Sequence, residues 1–146
     1  MKLRDILRTK GGEVVSISER ASVNDAVRAM VGARVGSALV LSADGGIAGI
    51  VTERDVLKAT ATSGPGVCAL GVADIMTRDL LVAVPDDSVD YVLSLMTERR
   101  VRHVPVLEDG KLVGLVSIGD AVRAKGQLAE VEARHLNDYI TGKYPA

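Results

Sequence analysis

No phenylalanine or tryptophan occurs among the 146 residues, and tyrosine occurs only as Tyr91, Tyr139 and Tyr144. A stacking platform for single-stranded nucleic acid needs several aromatic faces, so that function class is excluded. The formal net charge of −1 likewise lacks the basic excess that nonspecific binding to DNA or RNA requires. A single cysteine, Cys68, excludes an intramolecular disulfide. No apolar run approaches the ~18–20 residues of a membrane span. The first ten residues carry charges at Lys2, Arg4, Asp5, Arg8 and Lys10 and do not resemble a signal peptide. The expectation is a soluble cytoplasmic protein with no membrane or nucleic-acid partner. A chain of this size can bury roughly 68–70% of its unfolded surface without a metal or disulfide. Its core must come from Val, Leu, Ile, Ala and Met.

What the chain has in place of special composition is an internal repeat. Ser22-Val23-Asn24-Asp25-Ala26-Val27-Arg28-Ala29-Met30 overlies Ser88-Val89-Asp90-Tyr91-Val92-Leu93-Ser94-Leu95-Met96 at an offset of 66 residues. Arg34-Val35 then falls on Arg100-Val101, and Val40-Leu41 on Val106-Leu107. After one residue drops out, Asp44-Gly45 falls on Asp109-Gly110, Gly49 on Gly114 and Asp55 on Asp120, at an offset of 65. Each copy predicts strand, helix, strand, strand, helix. Residues 14–17 and 80–84 are short apolar stretches that predict a first strand. Ser22 and Ser88 are N-cap candidates for helices with apolar residues at i, i+3, i+4 and i+7. Ala38–Leu41 and Val104–Leu107 predict buried strands, and the Asp-Gly pairs predict hairpin turns into Ile47–Val51 and Leu112–Val116. Helices are expected over residues 53–61 and from 119 to about 133. The Gly-, Thr- and Ser-rich stretch 60–71 reads as an exposed linker. Residues 72–77 predict a short helix, with residues 2–7 as its counterpart at the start.

The chemistry-bearing element closes the third strand of each copy. Thr52-Glu53-Arg54-Asp55 recurs as Ser117-Ile118-Gly119-Asp120. A hydroxyl and a carboxylate three apart at a strand-to-helix junction form a capping box. The same geometry serves a nucleotide. Free N–H groups at a helix start attract phosphate, and an ionised carboxylate, which only accepts hydrogen bonds, suits ribose hydroxyls. Both readings stay open on the residues alone. No Gly-x-Gly-x-x-Gly follows a strand, and Gly142-Lys143-Tyr144 lacks the remainder of a P-loop. No metal-spaced His/Cys cluster and no nucleophile with a matched base is visible, so catalysis and a metal site are not expected. Cys68 reads as an incidental linker thiol. Tyr139 and Tyr144 are candidate interface anchors.

The doubled pattern resembles a tandem pair of CBS domains, the Bateman module, over about residues 14–125. The resemblance is carried by Asp74-Ile75-Met76-Thr77, by Arg99-Arg100-Val101-Arg102-His103-Val104-Pro105-Val106, and by residues 109–120. Leu136-Asn137-Asp138-Tyr139-Ile140-Thr141-Gly142 resembles the tail of small stand-alone bacterial members. It implies an α/β (α+β) fold of two βαββα CBS units about a pseudo-twofold axis. The first unit with its N-terminal helix would span residues 1–62, the linker 63–71, the second unit 72–125 and a helical extension 126–146. It implies a regulatory, non-catalytic module for signal transduction, whose clefts between the units bind AMP, ADP, ATP, NAD or S-adenosylmethionine. Asp55 and Asp120 would hold ribose, with Thr52 and Ser117 beside them. Arg102 and His103 would meet phosphate. The first copy departs there, with Gly36 and Ser37, and would draw on Arg54, Arg20 or Arg34. Adenine would lie near Ile17, Ser37, Ala38, Ala83 and Val104, between aliphatic walls. The resemblance also implies a homodimer, a disk of four CBS units. The alternative is a structural or protein-interaction module with empty clefts.

Overall fold

The computed structural model describes residues 1–140, without the side chains of Asp138 and Tyr139. The expected anchors Tyr139, as a side chain, and Tyr144 therefore lie outside the described part. The element order is α1 (Leu3–Lys10), β1 (Ser16–Ser18), α2 (Val23–Ala33), β2 (Ser37–Leu41), β3 (Ile47–Thr52), α3 (Glu53–Ser63), α4 (Val89–Arg99), β4 (His103–Glu108), β5 (Lys111–Ser117) and α5 (Ile118–Ile140). Among the described residues no helix is long and apolar enough to cross a membrane.

Contacts divide the chain into two units. One is Glu13–Leu81; the other joins Met1–Gly12 to the chain from Val82 onward. The spatial units are thus offset from the sequence repeat. The segment before each copy packs with the other copy's unit.

In the unit of residues 13–81, the sheet order is β1-β2-β3. β1 runs parallel to β2, and β2 antiparallel to β3. Ser22 caps α2, its Oγ accepting the Asp25 N–H at 3.1 Å while Asp25 accepts the Ser22 N–H at 3.1 Å. One apolar stripe of α2 supplies Ala26 and Met30 to a core shared with Ala38, Val40, Val51, Val72 and Met76. Removing such side chains from water at ~25 cal/mol per Å² is the main stabilising contribution.

The expected exposed linker is regular for most of its length. α3 continues to Ser63, and a 3₁₀ helix covers Gly64–Ala69 with Pro65 in its first turn. Val67 is buried, and the turn packs on α2 and α3. The apolar residues threaded through this Gly-rich stretch make it cover its own unit. Residues 72–74 form a 3₁₀ helix rather than an α-helical turn.

In the other unit β4 and β5 form a two-stranded hairpin. Its turn places Asp109 at φ 53° and Gly110 at φ 76°, as a two-residue hairpin with right-twisted strands needs. Both hairpins carry a register shift at the same place of the repeat, after Val40 and after Val106. The expected leading strand at 80–84 is reduced to one bridge, Ala83 to Val106. Proline is the reason. In the first copy the Leu39 N–H donates to the Val15 carbonyl at 2.9 Å. Leu39 falls on Pro105 in the repeat, and proline has no N–H to give. Helix α5 runs to Ile140, beyond the expected end near residue 133.

Candidate functional site

β3 ends at Thr52, which caps α3. Thr52 Oγ1 accepts the Asp55 N–H at 3.2 Å, and Asp55 Oδ2 accepts the Thr52 N–H at 2.9 Å and its hydroxyl at 3.1 Å. Asp55 Oδ1 accepts a third donor, the Thr77 hydroxyl, at 3.2 Å. Thr77 is held by its own backbone, which exchanges two hydrogen bonds with Ile50, at 2.8 and 2.9 Å. The acid is half-buried at the start of a helix, where its charge complements the helix dipole.

β5 ends the same way. Ser117 Oγ accepts the Asp120 N–H at 3.0 Å, and Asp120 Oδ2 accepts the Ser117 N–H at 2.9 Å. Two cations complete the shell. Lys10 Nζ donates to Asp120 Oδ2 at 2.6 Å, and Arg123 Nη2 to Oδ1 at 3.0 Å. The Asp120 side chain is 11% exposed. Burial pushes its pKa up, but the hydrogen bond from Lys10, that from the Ser117 N–H and the Lys10 charge outweigh it, so the carboxyl lies below its ordinary value.

The sheet registers decide which other predicted residues reach these pairs. Ser37 is the rung opposite Thr52, and Ala38 the rung opposite Val51. His103 stands opposite Ser117, and Val104 opposite Val116. Ser37, Ala38 and Val104 are buried, while His103 is half-buried. Arg102 is exposed, and its carbonyl accepts the Ile118 N–H at 2.8 Å, tying it to the start of α5. Arg54 is exposed on the first turn of α3. Ile17 pairs with Val40 and Ala83 bridges to Val106, each three residues along its strand from the Ser37 or His103 rung. The structure does not bring these two beside a hydroxyl–carboxylate pair; Ile17 packs against the core of its unit.

A cavity of about 320 Å³ opens alongside Asp55, with Lys58, Thr62, Asp74 and Ile75 in its lining. The sequence reading missed these neighbours, and it missed Thr77, Lys10 and Arg123. Arg123 was open to detection, because i and i+3 share a helix face. Lys10 was not, since 110 residues separate it from Asp120. Cys68 is exposed, and no group of three or more His, Cys, Asp or Glu among the described residues is arranged to hold a metal ion.

Comparison with known proteins identifies the family. The CBS domain family model matches residues 3–62 and again 72–126. The CBS domain-containing protein CBSX3, mitochondrial, of Arabidopsis thaliana is 36% identical over 97% of this chain and 73% of its own. The crystal structure of the CBS-domain containing protein ATU1752 from Agrobacterium tumefaciens has a TM-score of 0.82 at 36% identity, over 85% of this chain and 92% of that one. Two more distant structures hold ligands. The CBS domain protein PAE2072 from Pyrobaculum aerophilum, complexed with AMP, has a TM-score of 0.73 at 26% identity, over 82% and 89% of the two chains. The CBS domain pair of MJ0100, in complex with 5′-methylthioadenosine and S-adenosylmethionine, has a TM-score of 0.77 at 26% identity, over 87% and 97%. With two matches to the domain model, duplicated caps and duplicated hairpins, the chain belongs to the CBS-domain family and carries a tandem pair of CBS domains.

Proposed function

We propose that the chain is a regulatory sensor module, without catalytic activity, that binds adenosine-containing small molecules. The observation that carries this reading is the doubled site. A hydroxyl–carboxylate pair of one geometry ends the last strand of each hairpin, at Thr52/Asp55 and at Ser117/Asp120. In this reading each acid accepts from ribose hydroxyls, and the first turn of α3 or α5 faces the rest of the ligand. The AMP complex of PAE2072 and the S-adenosylmethionine complex of MJ0100 support adenosine chemistry for such pairs. Phosphate would fall to Arg102 and His103 in one unit and to Arg54 in the other. Ser37, Ala38 and Val104, with Ile17 and Ala83 at greater distance, would border adenine. AMP, ADP, ATP, NAD and S-adenosylmethionine are the candidates. Such a ligand regulates only by binding one of two states more tightly.

Titration calorimetry with AMP, ATP, NAD and S-adenosylmethionine tests the reading. A hydrogen bond to a charged group contributes about 1.5–3 kcal/mol, so Asp120→Ala is expected to weaken binding about ten- to a hundredfold. Unchanged affinity would remove Asp120 from the site.

A second reading is a ligand-free structural or protein-interaction dimerisation module, and under either reading the chain would work in the cytoplasm as a homodimer, a disk of four CBS units. One observation favours the dimer. Leu57 on α3 and Val122 on α5 occupy the same place of the repeat, and they are 70% and 57% exposed. Binding of none of the four ligands would leave this reading standing alone.

A further inference from the structure

The two hydroxyl–carboxylate pairs share their Ser/Thr-to-Asp capping bonds and differ in what reaches them from the segment that closes each unit. In the unit of residues 13–81 the donors are neutral. The Thr77 N–H donates to the Ile50 carbonyl at 2.8 Å, and its hydroxyl to Asp55 Oδ1 at 3.2 Å. Ile50 and Asp55 fall on Leu115 and Asp120 in the repeat. There a single charged side chain serves both acceptors. Lys10 Nζ lies 2.6 Å from the Leu115 carbonyl and 2.6 Å from Asp120 Oδ2. An ammonium at the end of α1 therefore stands where the other unit has an amide and a hydroxyl.

This substitution has a chemical consequence for a ribose. A carboxylate offers about four acceptor positions. Asp120 Oδ2 already accepts the Ser117 N–H and Lys10, and Oδ1 accepts Arg123. A vicinal diol needs two positions, so a donor must leave. Arg123 is 71% exposed and is held weakly, but it leaves Oδ2 full. A diol that spans both oxygens must displace Lys10. The Lys10 side chain is only 35% exposed. Its charge, once parted from Asp120, loses the one carboxylate it pairs with among the described residues. A phosphate on the incoming ligand compensates it; an unphosphorylated nucleoside does not.

We propose that Lys10 is a specificity-determining residue of the Ser117/Asp120 site, its ammonium moving from the Asp120 carboxylate to the ligand's phosphate, so that the site takes phosphorylated adenosine ligands and discriminates against adenosine itself. The proposal rests on the adenosine-ligand reading above. It also sets the two sites apart, since Thr77 carries no charge to exchange.

The test is calorimetric titration of the full chain with AMP and with adenosine, in an Asp55→Ala background that silences the other site. The parent is expected to prefer AMP, and Lys10→Met is expected to cut the AMP-to-adenosine preference by about tenfold or more. Lys10→Arg should keep the preference. Lys10→Gln, which retains a neutral donor for the Leu115 carbonyl, should lose it as Lys10→Met does, and guards against a folding defect. A preference unchanged in both neutral variants, with AMP still bound, overturns the role of Lys10 and spares the adenosine reading. Failure of the parent to bind either ligand, while the chain with Asp55 intact still binds AMP, overturns the Ser117/Asp120 site and Lys10's role together. Failure of the unsubstituted chain to bind any adenosine ligand overturns the reading itself.

Discussion

At Gly49 a Cβ atom would stand 2.7 Å from the Thr77 carbonyl oxygen and 3.0 Å from Met76 Sδ. That carbonyl accepts the Ile50 N–H, so it cannot retreat without breaking the bond. Gly49→Ala is expected to destabilise by about 1–3 kcal/mol. At Gly114, its repeat counterpart, the obstacle is one Leu7 side chain that can turn aside. Gly114→Ala should cost clearly less, and urea melts showing the reverse order would refute the argument. Asp120 makes a second prediction at this scale. Its folded pKa lies below the value of 3.8 it has when free, so its ionised form stabilises the fold above that value. The stabilisation is lost as pH falls through the folded pKa. Removing Lys10 takes away two of the influences that lower it, its hydrogen bond and its charge, so in Lys10→Met less stability should be lost on acidification. Denaturation profiles between about pH 2 and 7 would show the two curves apart near neutrality and drawing together on the acid side. Superimposable profiles would mean that Lys10 does not govern the acid. The hydroxyl, the acid and their spacing were legible in sequence because the contact is local. Lys10 was not, because chain distance carries no trace of an ion pair closed by folding.

Helices α2 and α4 end alike, on arginines in the left-handed region. Arg34 has φ 57° and Arg100 φ 55°, and the N–H of each donates to a carbonyl of the last turn, Arg34's to Val31 and Arg100's to Met96. An L-residue pays roughly 1–2 kcal/mol there, of which glycine would recover part against its own greater entropy when unfolded. Arg100→Gly should therefore hold or raise the melting temperature, and a marked fall would show that the Arg100 side chain stabilises the cap. Strand pairing offers a further check. The Ala83 N–H donates to the Pro105 carbonyl at 3.0 Å and the Leu107 N–H to the Ala83 carbonyl at 2.9 Å, whereas Leu81 has lost its donor to proline. Hydrogen exchange should find the Ala83 and Leu107 amides protected and the Val82 amide fast. The paired apolar runs and Asp-Gly turns made both hairpins readable. The absent first strand was readable only in part: Pro85, which stands where Glu19 donates to Leu41 in the first copy, ends the segment itself, but Pro105 lies in its partner, and the partner becomes known once the sheet is formed.

For the molecule as a whole, the repeat in sequence and the units in space are different divisions. Leu3 and Ile6 of α1 are buried, and α1 packs on β5 and α5 in the unit that holds the second hairpin. Residues 72–77 do the same for the first hairpin, through Val72 and Met76. Leu57 and Val122 remain exposed at matching places of α3 and α5. If they meet a second copy, Leu57→Glu or Val122→Glu should shift the sedimentation of a dimer toward monomer while leaving the fold intact. An unaltered mass for both variants would place the dimer surface elsewhere.

The duplication, the hairpins, the helix caps and the two hydroxyl–carboxylate pairs are determined by the sequence by itself, because each depends on residues a few positions apart. Tertiary structure alone decided which segment closes which hairpin, that Pro105 thins one sheet, and that one acid meets a threonine while its twin meets a lysine. Those outcomes depend on contacts between distant parts of the chain, which exist only once the apolar faces have been buried against one another.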